Sequence, residues 1–320
     1  MKTYRDIFKW GDKRETIIDK GTIHIIKEKF GYSGNDFEQK HLYGEKEVIL
    51  EKKCRLGADI IEKLIDIVGK DNFDTTDYAR ANHAYGKYYA DLLKLRKGIV
   101  PTPPDAVIYP RTENDIVQIL EICNQHKIAV TPLGGQSSVT RGVETPLGGI
   151  SLDLTKHLNK VIEVNEINST VTVQTGIYGP ALEEYLNSYG NKYSCGHFPQ
   201  SFEYSTVGGW VAAKGAGQAS TGYGKIEHMV LSMRVITPNG IIDTKTYPAS
   251  AQGWDLQQVF FGSEGTLGVI TQLTMKVRKY RPKQTKYASF IFKDFETAVN
   301  AMRNVMQNGV GLPHLFRISD

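Results

Sequence analysis

Three stretches of this 320-residue chain are rich in glycine and small hydroxyl residues, and its chemistry is expected to lie there. The first, Val130 to Thr140, reads VTPLGGQSSVT, a hydrophobic strand that runs into a Pro-Leu-Gly-Gly-Gln-Ser-Ser loop. Main-chain N–H groups in such a loop point one way and form a nest that suits an anion. The second, Pro199 to Gly224, reads PQSFEYSTVGGWVAAKGAGQASTGYG. It has few large apolar side chains to pack, and is better explained as backbone lying against a large ligand. The third, Gly262 to Thr271, is GSEGTLGVIT. Its glycines permit tight turns, and its amides are expected to be free until a strand begins. A single loop of this kind is equally well an ordinary turn. Three in one domain point to a long ligand with polar contacts along its length, which a dinucleotide fits better than an isolated phosphate.

Other phosphate sites are excluded by residue type. A Walker A loop requires Gly-Lys-Ser/Thr, and PLGGQSS has no lysine. A Rossmann fingerprint enters a helix, whereas GGQSSVTRGVETPLGG is interrupted by Gly142, Pro146 and two further glycines. Cys54, Cys123 and Cys195 are widely spaced and form no CxxC pair, which predicts neither zinc nor disulfides and fits a reducing compartment. The eight histidines show no HxxxH spacing, so no metal is expected. A net charge of +4 without a Lys/Arg block argues against a nucleic-acid partner. MKTYRDIFKWGDKRETI lacks the apolar centre of a signal peptide. No apolar run approaches the roughly 20 residues of a membrane span, so a cytoplasmic protein is expected.

The elements that must position these loops can be read from periodicity and punctuation. RLGADIIEKLIDIVG, Arg55 to Gly69, has helical spacing and a glycine to end it. HAYGKYYADLLKLRKG, His83 to Gly98, reads as a second helix. The prolines of VPTPPDAVIYP, Val100 to Pro110, mark a boundary, with AVIY a short strand. Thr112 with Asp115 resembles a capping box before the amphipathic ENDIVQILEICNQH, and KIAVTPL is the next strand. GGISLDL is a strand, KVIEVNEINSTVTVQTG two strands around a polar turn, and GPALEEYLNSYG a helix. HMVLSMRVITPNGIID is a hairpin turning at Pro238-Asn239-Gly240, GWDLQQVFFG a short helix, and GVITQLTMKVRKY a strand. YASFIFKDFETAVNAMRNVMQNG reads as strand then helix with Asp294 as N-cap, and LPHLFRISD opens another strand. The expected class is α+β: an N-terminal extension over 1–99, the loop-bearing domain over 100–282, and over 283–320 the beginning of a further domain.

PDAVIYPRTENDIVQIL with KIAVTPLGGQSSV, FEYSTVGGWVAAKGAG and FFGSEGTLGVIT resembles the PCMH-type FAD-binding domain of the vanillyl-alcohol-oxidase superfamily. GHFPQSFEYSTVGGWV, YGKIEHMVLSMRVITPNG and GSEGTLGVIT resemble its alkylglycerone-phosphate synthase branch in particular. The resemblance runs from about Val100 to Asp320 and extends weakly upstream to KWGD and AYGKYYADLLKLRKG. It implies two small α+β subdomains with FAD between them, and a ferredoxin-like cap domain of which 283–320 would be the start. It also implies cofactor contacts. Pro132, Leu133, Gly134, Gly135, Gln136, Ser137 and Ser138 would wrap the pyrophosphate. Gln200, Ser201, Phe202, Glu203, Tyr204, Ser205 and Thr206 would follow the cofactor towards the flavin. Ala213, Lys214, Gly215 and Ala216 would touch its phosphate and ribose side. Glu264, Gly265, Thr266, Leu267, Gly268, Val269 and Ile270 would hold adenine and ribose.

Where relatives have Gly-Gly-Gly-Thr-Ser, this chain has Gly-Gly-Gln-Ser-Ser. Gln136 carries a Cβ, so either its φ is negative or the cofactor binds less tightly. The loop lacks the histidine that tethers flavin in some relatives, and Cys195 reads as a small buried thiol, so non-covalent FAD is expected. The resemblance implies either a flavin-dependent oxidoreductase on a hydroxy-acid, alcohol or glycerone-phosphate-like substrate, or an alkylglycerone-phosphate synthase-like transferase of ether-lipid synthesis. A catalytically incomplete FAD-binding module is the remaining alternative. The partners implied are a small-molecule substrate, an electron acceptor if the chemistry is redox, and a homodimer as an assembly to consider. Catalytic groups are expected mainly beyond Asp320, with two candidates inside the chain. His197 either faces the ring or is a hydrogen-bonded structural residue. Arg317 either holds a substrate phosphate or carboxylate, or pairs with Asp320 or another carboxylate.

Overall fold

The computed structural model describes residues 7, 10, 18–34, 36, 48–190, 192–247 and 249–319. Its first layer grows from the strand-helix-strand unit. Strand β1 is Phe73–Asp74, β2 Ala106–Ile108, β3 Val130–Leu133 and β4 Ile150–Asp153, in spatial order β1-β2-β4-β3. β4 runs parallel to both β2 and β3, while β1 is antiparallel to β2. Every residue of β4 is buried, as a central parallel strand requires. The crossover helix Glu113–His126 begins where the capping box places it. The Thr112 hydroxyl accepts from the Asp115 N–H and donates to its carboxylate at 2.7 Å. Ile116, Ile119 and Cys123 on its inner face pack with Ile60, Leu64 and Val68 of the helix Ala58–Val68. Residues 58–74, which precede the proline-rich stretch, thus share this sheet and its core.

The second layer is an antiparallel sheet of β5 Val161–Asn165, β6 Thr170–Gln174, β8 Val230–Thr237, β9 Gly240–Asp243 and β10 Val269–Lys276, in spatial order β5-β6-β10-β8-β9. A separate ribbon pairs β7, Tyr193–Ser194, with β11, Arg278–Lys279. Val171 and Val173 of β6 are fully buried and pack with Leu182 and Leu186 of the helix Gly179–Ser188 and with Trp210 of the helix Val207–Ala212. Alternation in TVTV and helical spacing in ALEEYL each supply one face of this core. The result is a mixed α+β protein of two sheet-centred units.

Three expected elements differ. The helix expected over His83 to Gly98 is realised only as Tyr89–Arg96. A short helix, Asp77–Asn82, capped by Thr76, precedes it, and the chain turns between them. The turn is dictated from outside, because the Lys87 N–H donates to the Ser138 carbonyl at 2.7 Å. A Cβ on neighbouring Gly86 would lie 2.1 Å from that carbonyl oxygen. The strand expected at YASFIF does not form: Tyr287, Phe290 and Ile291 are exposed and no strand among the described residues pairs with them. LPHLFRIS likewise forms no strand, for the same want of a paired neighbour. The helix between them does form, as Phe295–Gln307, with Asp294 accepting from the Thr297 N–H at 2.7 Å.

Candidate functional site

The first glycine loop leaves the carboxyl end of β3, where Leu133 lies beside Asp153 at the end of β4. Carboxyl ends of parallel strands are where open α/β sheets leave room for ligands. There a cavity of about 350 Å³ opens between the two units, within the roughly 300–1,000 Å³ of small-molecule sites. All of Pro132, Leu133, Gly134, Gly135, Gln136, Ser137 and Ser138 line it. Ser201, Ser205, Thr206, Ala213 and Gly215 line it from the second stretch, and Glu264, Gly265, Gly268 and Ile270 from the third. The fold therefore brings together three segments separated by up to about 140 positions in the sequence.

Other expected contacts point elsewhere. Phe202 stacks on Trp210 and packs with Phe198, and Tyr204 meets Trp10 edge-on at 5.7 Å. Val269 belongs to the core under the first sheet. Gln200, Glu203, Lys214, Ala216, Thr266 and Leu267 also lie outside the cavity wall. Of the weakly similar KWGD, only Trp10 falls within the described residues. Arg317 is exposed and away from the cavity, and the Asp320 named as its partner lies outside the described residues.

The cradle is made by backbone. Gly135 lies so close to the 204–206 segment that a Cβ would sit 2.3 Å from the Tyr204 carbonyl oxygen and 2.8 Å from the Ser205 Cα. The Thr206 hydroxyl caps the helix Val207–Ala212 and also lies 3.3 Å from the Gly135 nitrogen. No protein acceptor meets the main-chain N–H groups of Gln136, Ser137 and Ser138 among the described residues. The third loop is different from expectation. Its amides at Gly262 and Glu264 donate to the carbonyls of Val211 and Ala212, and those of Ser263 and Thr266 to Phe260 and Ser263. That loop folds onto the end of the helix Val207–Ala212, so two of its donors are taken by the helix and two by the carbonyls of Phe260 and Ser263, and these four are not free as expected. Gln136 has φ +60, so the negative-φ alternative for that position does not hold.

His197 lines the cavity with its side chain almost wholly buried. Its ring lies 4.9 Å from that of Trp210, and neither ring nitrogen has a hydrogen-bond partner. The reading of a hydrogen-bonded structural histidine is thus not what the structure shows. Burial, partly opposed by the charge of Glu227, lowers its pKa to about 4, so the ring is neutral at pH 7. It offers one N–H donor and one bare nitrogen to whatever fills the cavity. Cys195 is buried outside the cavity wall, and its thiol is pushed well above the ordinary range, first by desolvation. Thr175 and Trp210 also line the cavity and were not expected. Trp210 sits in GGW, within the second stretch, and its indole N–H donates to Ser205 Oγ at 2.7 Å. Thr175, at the end of β6, donates to the Ile270 carbonyl at 2.6 Å and carries no local signal in the sequence.

These features fit an extended, partly anionic cofactor. Backbone donors without a protein acceptor lie in its wall at the 136–138 turn, side chains are excluded at Gly135, and an unpaired polar ring borders it. Among the described residues no cluster of His, Cys, Asp or Glu could hold a metal ion, and no helix is long and apolar enough to cross a membrane.

Comparison with known proteins agrees with this geometry. Residues 104–245 match a family described as FAD binding domain. An alkyldihydroxyacetonephosphate synthase of Caenorhabditis elegans is 38% identical over 95% of this chain and 54% of its own length. The glycolate oxidase subunit GlcD of Bacillus subtilis (strain 168) is 31% identical over 78% of this chain and 50% of its own. A solved structure of alkyldihydroxyacetonephosphate synthase superposes with a TM-score of 0.77 at 31% identity, covering 83% of this chain and 48% of that one. The chain spans about half the length of the relatives it matches.

Proposed function

Since residues 104–245 form an FAD-binding domain of the PCMH-type family, we propose that the chain holds FAD non-covalently in the cavity and serves a flavin-dependent enzyme. The observation that carries this reading is the backbone cradle: Gly135 against the 204–206 segment, with the free amides of Gln136, Ser137 and Ser138. Those amides would neutralise a pyrophosphate without lysine, as a nest of N–H dipoles does. Bound flavin would supply the electron-accepting or adduct-forming ring. His197 would set a neutral donor and acceptor against it, and Trp210 and Leu154 would keep water from that end of the cavity. Cys195 is buried outside the cavity wall and the 132–138 loop carries no histidine, which supports a non-covalent flavin.

A synthase-like transfer is the preferred chemistry. Identity to the Caenorhabditis elegans synthase extends over nearly the whole chain, whereas that to the oxidase subunit is lower and shorter. In such a transfer the acyloxy group of an acyl glycerone phosphate leaves as a fatty acid, taking the alcohol's proton, and the alkoxy group of a long-chain alcohol takes its place, with no net electron flow. Oxidation of a 2-hydroxy acid, with its electrons passed to an external acceptor, is the second reading.

The test begins with the purified chain, precipitated with acid and divided into pellet and supernatant. A flavin spectrum in the supernatant is expected. Colour held in the pellet would overturn non-covalent binding, and a protein that takes up no added FAD would overturn the assignment itself. Exchange of labelled alcohol into acyl glycerone phosphate, against dye reduction by hydroxy acids, then separates the two chemistries.

A further inference from the structure

We propose that Gln136 is a positioning residue for the cofactor cradle: its side chain pegs the 134–138 loop to residues 82–85, which makes the Asp77–Arg96 segment a working part of the site. The inference rests on reading the cavity as the FAD site.

The conformation of Gln136 raises the question. Its φ of +60 lies in the left-handed region, which glycine adopts freely and a residue with a Cβ does not. A glycine would therefore sit there with less strain, and glutamine must be held by something else. Its side chain is buried, and its Nε2 donates to two main-chain carbonyls, those of Asn82 and Tyr85. Both amide hydrogens are thereby used. Its Oε1 is buried without a partner. Pyrophosphate oxygens only accept, so they cannot satisfy Oε1, and the side chain is not a phosphate ligand. What remains for it is to fix the backbone on either side, whose three free N–H groups must converge on the same anion.

The contact belongs to a wider clasp. One turn further on, the Lys87 N–H donates to the Ser138 carbonyl, and Gly86 lies flat against it. Arg141, past the loop, reaches to 3.8 Å from the buried carboxylate of Asp91. The clasping segment is itself anchored independently of Gln136. Arg80, fully buried, donates to the carbonyls of Pro104 and Lys52 at 2.7 Å each. His83 meets Asp153 at 3.0 Å, at the end of β4. Segment and sheet are thus joined without the peg, and the peg ties the loop to that segment.

The full chain with Gln136→Gly separates the peg from bystander behaviour by the sign of its effect. A bystander side chain makes glycine neutral or favourable: FAD affinity unchanged or tighter. The peg makes the FAD dissociation constant rise at least tenfold by fluorescence titration, with no fall in the melting temperature of the apo chain. It also makes amide hydrogen exchange at residues 82–88 faster. Gln136→Asn tolerates the same φ but is one methylene too short to reach both carbonyls, and the same loss is expected from it. Unchanged affinity and unchanged exchange in both variants would overturn the proposal. If the wild-type chain takes up no FAD, the functional reading fails on its own, and exchange at 82–88 still decides the peg: equal rates in wild type and variants reject it.

Discussion

At the scale of single residues, burial governs His197, Cys123 and Cys195. The folded pKa of His197, lowered to about 4 from 6.5, means that the unfolded chain binds more protons between those values. The histidine's contribution to stability is therefore fully present above pH 6.5 and is lost as pH falls towards 4. A shift of this size corresponds to roughly 3 kcal/mol at most. The melting temperature of the apo chain is expected to fall over this window, and His197→Phe, which keeps a ring against Trp210, to flatten the fall above pH 4.5. Carboxylates held low by their partners, such as Asp105 with Arg55, lose their contribution only at more acid pH, so they do not mask the effect. An unaltered slope in the variant would show that the ring is paired. Thiol chemistry gives a parallel expectation. Burial pushes Cys123 up to about 12 and Cys195 higher than its ordinary range, while Cys54 is half-buried. Brief alkylation of the native chain at neutral pH should mark Cys54, read by peptide mass, and equal labelling of all three would contradict the packing.

At the scale of elements, the glycine loops matter because of what they approach. Gly135→Ala places a methyl group against the Tyr204 carbonyl and the Ser205 Cα, and backbone cannot swing aside as a side chain can. The variant is expected to part the 132–138 and 204–206 segments, lowering both the melting temperature and FAD affinity, the latter by more than tenfold. Titration that finds wild-type affinity would mean that the two loops do not need to touch. Local sequence was enough to read much of this arrangement. The Thr112 cap, the alternation of TVTV, the Pro238-Asn239-Gly240 hairpin and the three Gly-rich loops all carry their structure within a few residues. What escaped was decided at a distance. The turn at 83–88 has helix-compatible Ala84, Tyr85 and Lys87, and is bent by the Ser138 carbonyl some 50 positions on. The Gly262 and Glu264 amides looked free because the carbonyls that accept them, those of Val211 and Ala212, lie in another stretch. The aromatic run before the helix Phe295–Gln307 has the composition of a strand, but a strand exists only with a neighbour to pair with. Nothing near His197 in the sequence tells whether its ring nitrogens are met.

At the scale of the whole molecule, the cavity exists only while the two sheets keep their relative position. The parallel sheet carries the first loop, and the antiparallel sheet with its helices carries the other two. Two features hold them in register. Ile236 of β8 and Val269 of β10 reach into the core formed by Ile116, Ile119 and Leu152 of the first unit. Beside that core, Glu113, in the first turn of the crossover helix, accepts from the buried Thr271 hydroxyl at 2.6 Å, and its other oxygen lies 3.0 Å from Arg234 Nε. Arg234 in turn reaches Asp243 at 2.6 Å, so a short chain of charges crosses from helix to hairpin. Glu113→Ala removes the link and leaves the Thr271 hydroxyl without its close acceptor, a loss of about 2 kcal/mol for a hydrogen bond to a charged group. Thr112→Ala, one position away, costs about 1 kcal/mol by uncapping the same helix but leaves the inter-sheet link in place. The two variants should therefore both melt at lower temperature yet differ in FAD titration: Glu113→Ala weaker, Thr112→Ala close to wild type. Equal loss of affinity in both would mean that helix stability alone supports the cradle, and equal retention would mean that the apolar contacts of Ile236 and Val269 hold the sheets in register without the ionic link.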